Sequence, residues 1–249
     1  VTTWVLLRGL ARESRHWGDF PTLLRQALPP GDTVLALDLP GNGARWRERS
    51  PASVPGMLQA VRSELARGPQ RAPYVLVALS LGGMVAMHWA ASFPEELQGC
   101  VLINSSARGA GLPWQRLRPR AWGPLLSWLL PGGDAALRER HVWRLTSMRS
   151  PDEDLLAQWV RHARDAPVSR ANVLRQLLAA LRFKAPSQVR VPTLLLSSLG
   201  DRLVSPQCPA ALAQGWRAPL RTHGEAGHDL PLDAPVWLVE QLVRWRSGS

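Results

Sequence analysis

Short, uninterrupted aliphatic runs recur along the chain, separated by segments whose apolar residues return at helical spacing. The runs are residues 3–7 (TWVLL), 33–38 (TVLALD), 74–79 (YVLVAL), 100–104 (CVLIN) and 193–197 (TLLLS), with a weaker one at 220–223. Apolar residues in them are continuous, not alternating, which suits strands covered on both faces of a parallel sheet. Amphipathic stretches at 54–66, 84–92 and 236–245 read as helices, the second stopping at Pro94. Strand–helix alternation of this kind predicts an α/β fold with a mostly parallel, doubly wound sheet.

The interval 105–190 breaks the rhythm, being too long for one crossover and mostly helical in pattern. Ser150-Pro151-Asp152-Glu153 predicts a helix start with Ser150 as N-cap and proline at the first helical position. Leu155, Leu156, Trp159, Val160 and Ala163 then share one apolar face. Ser169 can cap a second helix, with Val173, Leu174, Leu177, Leu178 and Leu181 along one side. Trp114, Trp122, Leu125, Leu126, Trp128 and Leu129 form an apolar cluster expected to pack this segment onto the core. The predicted organisation is a core of residues 1–104 and 191–249 with a helical cap, 105–190, over the sheet's carboxyl edge. Ligands bind at that edge in open α/β sheets.

The strongest local signal is Ala78-Leu79-Ser80-Leu81-Gly82-Gly83, which follows a strand-like run and opens a helix. A serine at such a turn is held in a strained geometry that lifts its hydroxyl above the sheet, while small residues on either side let strand and helix pass closely. The helix N-terminus favours negative charge beside it. Serine needs a base, and the base needs an orienting acid. For a nucleophile on this kind of strand-to-helix turn the order is serine, acid, histidine. Asp201 follows the fifth run and His228 follows the sixth, so both fall at strand carboxyl ends, on the edge that carries Ser80. Asp229 is the rival acid, but a residue adjacent to His228 cannot easily turn its side chain to the imidazole. The oxyanion needs two backbone N–H donors. Leu81, immediately after the serine, and Leu10, in Arg8-Gly9-Leu10 after the first run, are the candidates.

Charge adds a second layer. The formal net charge is +11, and Lys184 is the one lysine among the basic residues. Arginine with abundant Ala, Leu, Pro and Gly accompanies GC-rich coding sequence. The functional alternative is an acidic partner or anionic substrate steered by a positive field, and the arginines of 105–190 (116, 118, 120, 138, 140, 144, 149, 161 and 164) suit carboxylate or phosphate recognition. No nucleic-acid-binding motif or dense basic run is present. Cys100 and Cys208 make no disulfide framework. No metal-ligand spacing appears, so no cofactor is expected. No apolar run has the length of a membrane span, and a cytoplasmic protein is expected. Of the other histidines, His88 reads as packing or surface, His16 as a possible substrate contact, and His141 and His162 as solvated.

Together these segments resemble the α/β-hydrolase superfamily over nearly the whole chain. LLRGL resembles the strand and oxyanion segment, with Trp17 at a fitting distance, and DLPGNGAR the D-x-P-G-x-G turn. ALSLGG, LGDRLVSP and AGHDLP resemble the nucleophile, acid and histidine segments. In length and cap style the chain is similar to small bacterial carboxylesterases, including the pimeloyl-carrier methyl ester esterase group. Arg8 stands where the family's oxyanion histidine is usual, which predicts a more cationic pocket, and Ala78 replaces a glycine. The resemblance implies a serine hydrolase cleaving a carboxylic ester or thioester, with an acidic acyl carrier protein as a possible partner. A C–C hydrolase, lyase or perhydrolase using the same triad is the alternative, and a non-catalytic ligand- or partner-binding member a further one.

Overall fold

A computed structural model describes residues 1–129, 132 and 134–248; of Ser127 and Leu129 it describes the backbone only. Six strands, β1 (Thr3–Leu7), β2 (Thr33–Leu37), β3 (Tyr74–Leu79), β4 (Leu97–Ile103), β5 (Thr193–Ser198) and β6 (Leu220–His223), form one sheet in the order β2-β1-β3-β4-β5-β6. Every pairing is parallel. The continuous aliphatic runs are explained by two packed faces. Val5, Leu7, Leu76, Ala78, Cys100, Leu102 and Leu195 join one core cluster. Their alternating neighbours Trp4, Leu6, Val75, Val77, Val101, Leu194 and Leu196 join the other. At the edges this pressure relaxes: β2 and β6 are only partly buried.

The helices are α1 (Phe20–Ala27), α2 (Val54–Arg67), α3 (Leu81–Ser92), α4 (Pro113–Arg116), α5 (Trp122–Leu129), α6 (Ala135–Thr146), α7 (Glu153–Asp165), α8 (Arg170–Arg182), α9 (Gln207–Trp216), α10 (Leu230–Asp233) and α11 (Pro235–Ser247). Residues of α2, α3, α8 and α9 cover the first face, and those of α1 and α11 the second. Trp245 of α11 sits against Gly99, where a Cβ would fall 2.4 Å from its ring. Helices α4 to α8 all lie between β4 and β5 in sequence.

Three details of that segment differ from the sequence reading. Asp152, not Ser150, caps α7, accepting the Leu155 N–H at 3.0 Å. This start leaves Glu153 and Asp154 in the first turn, where the helix dipole favours negative charge. The buried face of α8 is Asn172, Val173, Gln176 and Ala179, whereas Leu174, Leu178 and Leu181 are exposed. Gln176 and Asn172 are buried because they hold loops together. Gln176 accepts the Ala11 N–H and donates to Asn42 Oδ1, and Asn172 accepts the Ser50 N–H. Finally, Trp114, Trp122 and Leu126 are more than half exposed, so the predicted apolar cluster does not pack as a unit onto the core. The Leu129 side chain lies outside the described residues.

Candidate active site

Ser80 sits between the end of β3 and the first turn of α3, with φ 57° and ψ −116°. That conformation is costly for a residue bearing a Cβ and persists only where its surroundings over-determine it. Here they do. The Ser80 N–H donates to Ile103 O at 3.0 Å, and its carbonyl accepts from Met84 N and Ser105 Oγ. The crossing is tight. A Cβ on Gly82 would lie 2.4 Å from Leu7 O and 2.7 Å from Arg8 O, and one on Gly9 would lie 3.1 Å from Ser80 Cβ. Gly82 is thus required by the close approach of α3 to the end of β1, and Gly9 is favoured by its closeness to the Ser80 side chain. Ala78 keeps its methyl fully buried in the first core cluster.

Asp201 and His228 are both buried, and His228 Nδ1 lies 2.7 Å from Asp201 Oδ2. A carboxylate only accepts, so Nδ1 carries the proton and Nε2 keeps its lone pair. The other Asp201 oxygen takes the Leu203 and Val204 N–H groups at 2.7 and 2.8 Å, and Arg118 donates to the Asp201 carbonyl. The histidine loop is held from several sides. Asn104, at the end of β4 with φ 46°, donates to His228 O and Gly227 O and exchanges hydrogen bonds with Ser198. Asp233 accepts the Gly227 N–H, and Asp229 N donates to Thr146 O of α6. Sequence reasoning missed Asn104. Its signal was an asparagine at a strand's carboxyl end, a residue type that tolerates the left-handed region.

Ser80, His228, Gly9, Leu10 and Leu81 line one cavity of about 1140 Å³ including its open mouth. Its walls are mostly apolar, with Leu125, Trp128, Val142 and Leu177 contributed by the segment between β4 and β5. The Leu10 and Leu81 N–H groups donate to no protein acceptor among the described residues.

Asp229 is not an alternative partner for the imidazole, because Arg8 takes both of its oxygens at 2.9 and 2.6 Å. Burial alone would push the Asp229 carboxyl up, but the Arg8 charge and its hydrogen bonds outweigh it and hold the group below its ordinary value. The guanidinium also lies over Trp17, 5.0 Å from the ring centroid. The expectation of a cationic pocket from Arg8 is therefore corrected: its charge is matched within the core. A second buried pair, Arg12 with Glu139 of α6 at 2.5 Å, joins the loop after β1 to the helical segment.

His16 does not face Ser80. It lines a separate cavity with Glu13, His162 and Arg138. His162 is not free in solvent either, since its ring packs edge-on to His16 at 5.4 Å. Candidate ligand atoms of Glu13, His16 and His162 lie within 4.8 Å of one another. Two features work against a cation there. His16 Nδ1 already accepts the Glu13 N–H, which puts the proton on Nε2, and Arg15 Nε occupies Glu13 Oε1 at 2.5 Å. Burial, then the charges of Arg12 and Arg8, push His16 well below the ordinary histidine value. His88 is packed edge-on to Phe183, and His141 is half-buried.

Of the nine arginines singled out between β4 and β5, Arg138 is half-buried at the His16 cavity and the other eight divide into two sets. Arg116, Arg118, Arg140 and Arg149 are engaged with backbone carbonyls or Glu153. Arg120, Arg144, Arg161 and Arg164 are exposed and make no ion pair among the described residues.

A six-stranded parallel sheet with a serine on its central strand-to-helix turn and a buried Asp–His pair at the same edge defines a class of hydrolase folds. The profile of the Alpha/beta hydrolase family matches residues 4–241, and the chain belongs to that family. A pimeloyl-[acyl-carrier protein] methyl ester esterase of Chromobacterium violaceum is 30% identical over 236 residues, 91% of this chain and 78% of that protein. The fold is also that of an enol-lactonase from Burkholderia xenovorans (TM-score 0.79, 19% identity, 99% of this chain and 92% of that one). An esterase from Exiguobacterium antarcticum superposes equally well, at TM-score 0.79 and 16% identity over 99% and 92% of the two chains. The chain is an esterase-type hydrolase. Among the described residues no helix is long and apolar enough to cross a membrane.

Proposed function

We propose that the chain cleaves a carboxylic ester through an acyl-enzyme on Ser80, with His228 as general base and Asp201 as its orienting acid. The observation that carries this reading is the 2.7 Å Asp201–His228 bond at the same cavity as the strained Ser80 turn. Ser80 Oγ attacks the ester carbonyl and its proton passes to His228 Nε2. The carbon–oxygen bond to the alcohol then breaks, and the imidazolium returns the proton to the departing alkoxide. Water, deprotonated by the same imidazole, attacks the acyl-enzyme; the bond from the acyl carbon to Ser80 Oγ breaks, the imidazolium returns the proton to Oγ, and the acid is released. The Leu10 and Leu81 N–H groups receive the negative oxygen in both tetrahedral steps.

Residues 105–190 act as the cap of this site, supplying apolar wall for the acyl chain. The curated relative is named for a methyl ester on an acyl carrier protein. An acyl group delivered by an acidic carrier suits the exposed Arg120, Arg144, Arg161 and Arg164, and a cytoplasmic setting belongs to the same reading. Thioesters remain substrates of second rank within it. The test is hydrolysis of short- and medium-chain p-nitrophenyl esters, and of a methyl ester linked to acyl carrier protein, by wild type and Ser80→Ala. Turnover is expected in wild type and near-background rates in the variant. Unchanged hydrolysis in Ser80→Ala refutes the assignment. A carrier-linked rate that does not fall with added salt refutes the docking part alone.

A further inference from the structure

The Arg8–Asp229 ion pair spans 221 positions in sequence and joins two loops that carry different parts of the proposed chemistry. Arg8 immediately precedes Gly9-Leu10, the loop holding one candidate oxyanion donor. Asp229 immediately follows His228. The contact is a two-pronged fork, both side chains are almost fully buried (3% and 4% exposed), and the guanidinium rests on Trp17. A planar fork of this kind fixes orientation as well as distance. A buried pair is weak evidence for stability, and in some proteins such pairs serve specificity of arrangement instead.

We propose that Arg8 and Asp229 are a positioning pair: the fork sets the Leu10 loop relative to His228 and cancels, beside the imidazole, the guanidinium charge that Arg8 brings in. The inference rests on the Ser80 hydrolase reading. The geometry supports it at the histidine end. Asp229 N is anchored to Thr146 O and His228 O to Asn104, so the histidine loop has a fixed base for the fork to act against. The charged groups around His228 are Asp201 on its Nδ1, Asp229 and Arg8 beside it, Arg12 acting on Asp229, Arg118 on the Asp201 carbonyl, and Asp233 on the Gly227 N–H. The Arg8 charge and its hydrogen bonds supply most of the hold on the Asp229 carboxyl, which lies one residue from the imidazole.

The test uses Asp229→Asn, Arg8→Lys and the double variant Arg8→Met/Asp229→Asn. Asp229→Asn leaves Arg8 permanently charged and uncompensated. The acid limb of kcat/KM should then move to lower pH by about one unit, while kcat falls roughly tenfold or more and KM changes little. The double variant removes both charges and should return the limb to its wild-type place with kcat still low. Arg8→Lys keeps the charge and loses the fork, so kcat should fall with the limb unmoved. The titration of the His228 Cε1–H, followed by NMR without substrate, reads the same charge effect independently of turnover. A limb and titration that stay put or rise in Asp229→Asn overturn the charge role. So does a double variant no nearer to wild type than the single. Full kcat in the double variant, which leaves no orphaned ion in the core, overturns the positioning role. Failure of a fluorophosphonate to label wild-type Ser80 would instead strike the hydrolase reading, and the NMR titration would still decide the charge effect.

Discussion

Gly82→Ala is the most exacting probe of the site because it touches no reacting group. The added Cβ would meet Leu7 O at 2.4 Å and Arg8 O at 2.7 Å, and both are backbone atoms that no rotamer change can move aside. Relief to ordinary contact requires α3 and the end of β1 to separate by roughly 1 Å, and displacement of that size at a reacting centre costs on the order of a hundredfold in rate. The separation acts directly on the Ser80 turn and on the loop that presents Leu10. A hundredfold is about 2.7 kcal/mol of barrier. The overpacking itself should cost ~1–3 kcal/mol of stability, at about 2–4 °C of unfolding midpoint per kcal/mol. Steady-state hydrolysis of a p-nitrophenyl ester, with a thermal melt on the same sample, measures both. Full kcat with an unchanged melt would show that the close crossing of α3 and β1 does not set the site's geometry.

Gly215→Ala makes the same chemical change at an exposed position of α9, where nothing lies within 4 Å of the new Cβ. It should stabilise the protein by about 0.5–1 kcal/mol with no change in kcat, and a lowered melting temperature would contradict this. His16 is held well below its ordinary value by burial and by Arg12 and Arg8, so the unfolded chain takes up its proton first. The stability this confers is fully present above the unfolded value of about 6.5 and is lost as the pH falls below it. Denaturant melts between pH 7.5 and 5.5 should therefore show a stability loss that His16→Gln reduces. His162, lowered in the same direction, accounts for part of the remainder. An equal loss in the variant would refute the assignment to His16.

The strands were legible because a sheet covered on both faces leaves no polar position inside a run. Residues 3–7 and 74–79 coincide with β1 and β3, and the polar 220–223 with the partly buried edge strand β6. β4 starts earlier than its aliphatic run, at Leu97, because Leu97 and Gly99 pair with Tyr74 and Val75 around a bulge at Gln98, and Gly99 is demanded by the Trp245 ring. The helices between β4 and β5 were readable as helices but not as faces. The apolar side of α8 turns partly to the cavity and to solvent, while Gln176, an unremarkable glutamine in sequence, is fully buried as a loop clamp. Ser80, Asp201 and His228 could be nominated because each falls at the end of a recognisable strand. Arg8–Asp229 and Arg12–Glu139 could not, since nothing local to either partner announces a mate so far along the chain.

The C-terminal end of α6 has one more consequence. Thr146 O accepts from Asp229, Ser147 and Met148 bond to Asp233, Arg202 donates to Arg144 O, and Arg149 donates to Leu232 O. This end of the helix is thus built into the loop that carries His228. Helix α4 is tied as well, to the loop after Asp201: Gln115 O accepts the Ser205 N–H, and Arg118, just beyond the helix, donates to Leu203 O and Asp201 O, while Trp114 and Trp122 are exposed. The inserted segment accordingly has unequal mutational freedom. On the proposed reading, substitutions near Thr146–Arg149, or at Gln115 and Arg118, would disturb the base or its acid as well as the wall, whereas wall residues such as Leu125 and Trp128 are free to vary with acyl chain length. Selection for a new substrate would find its room there.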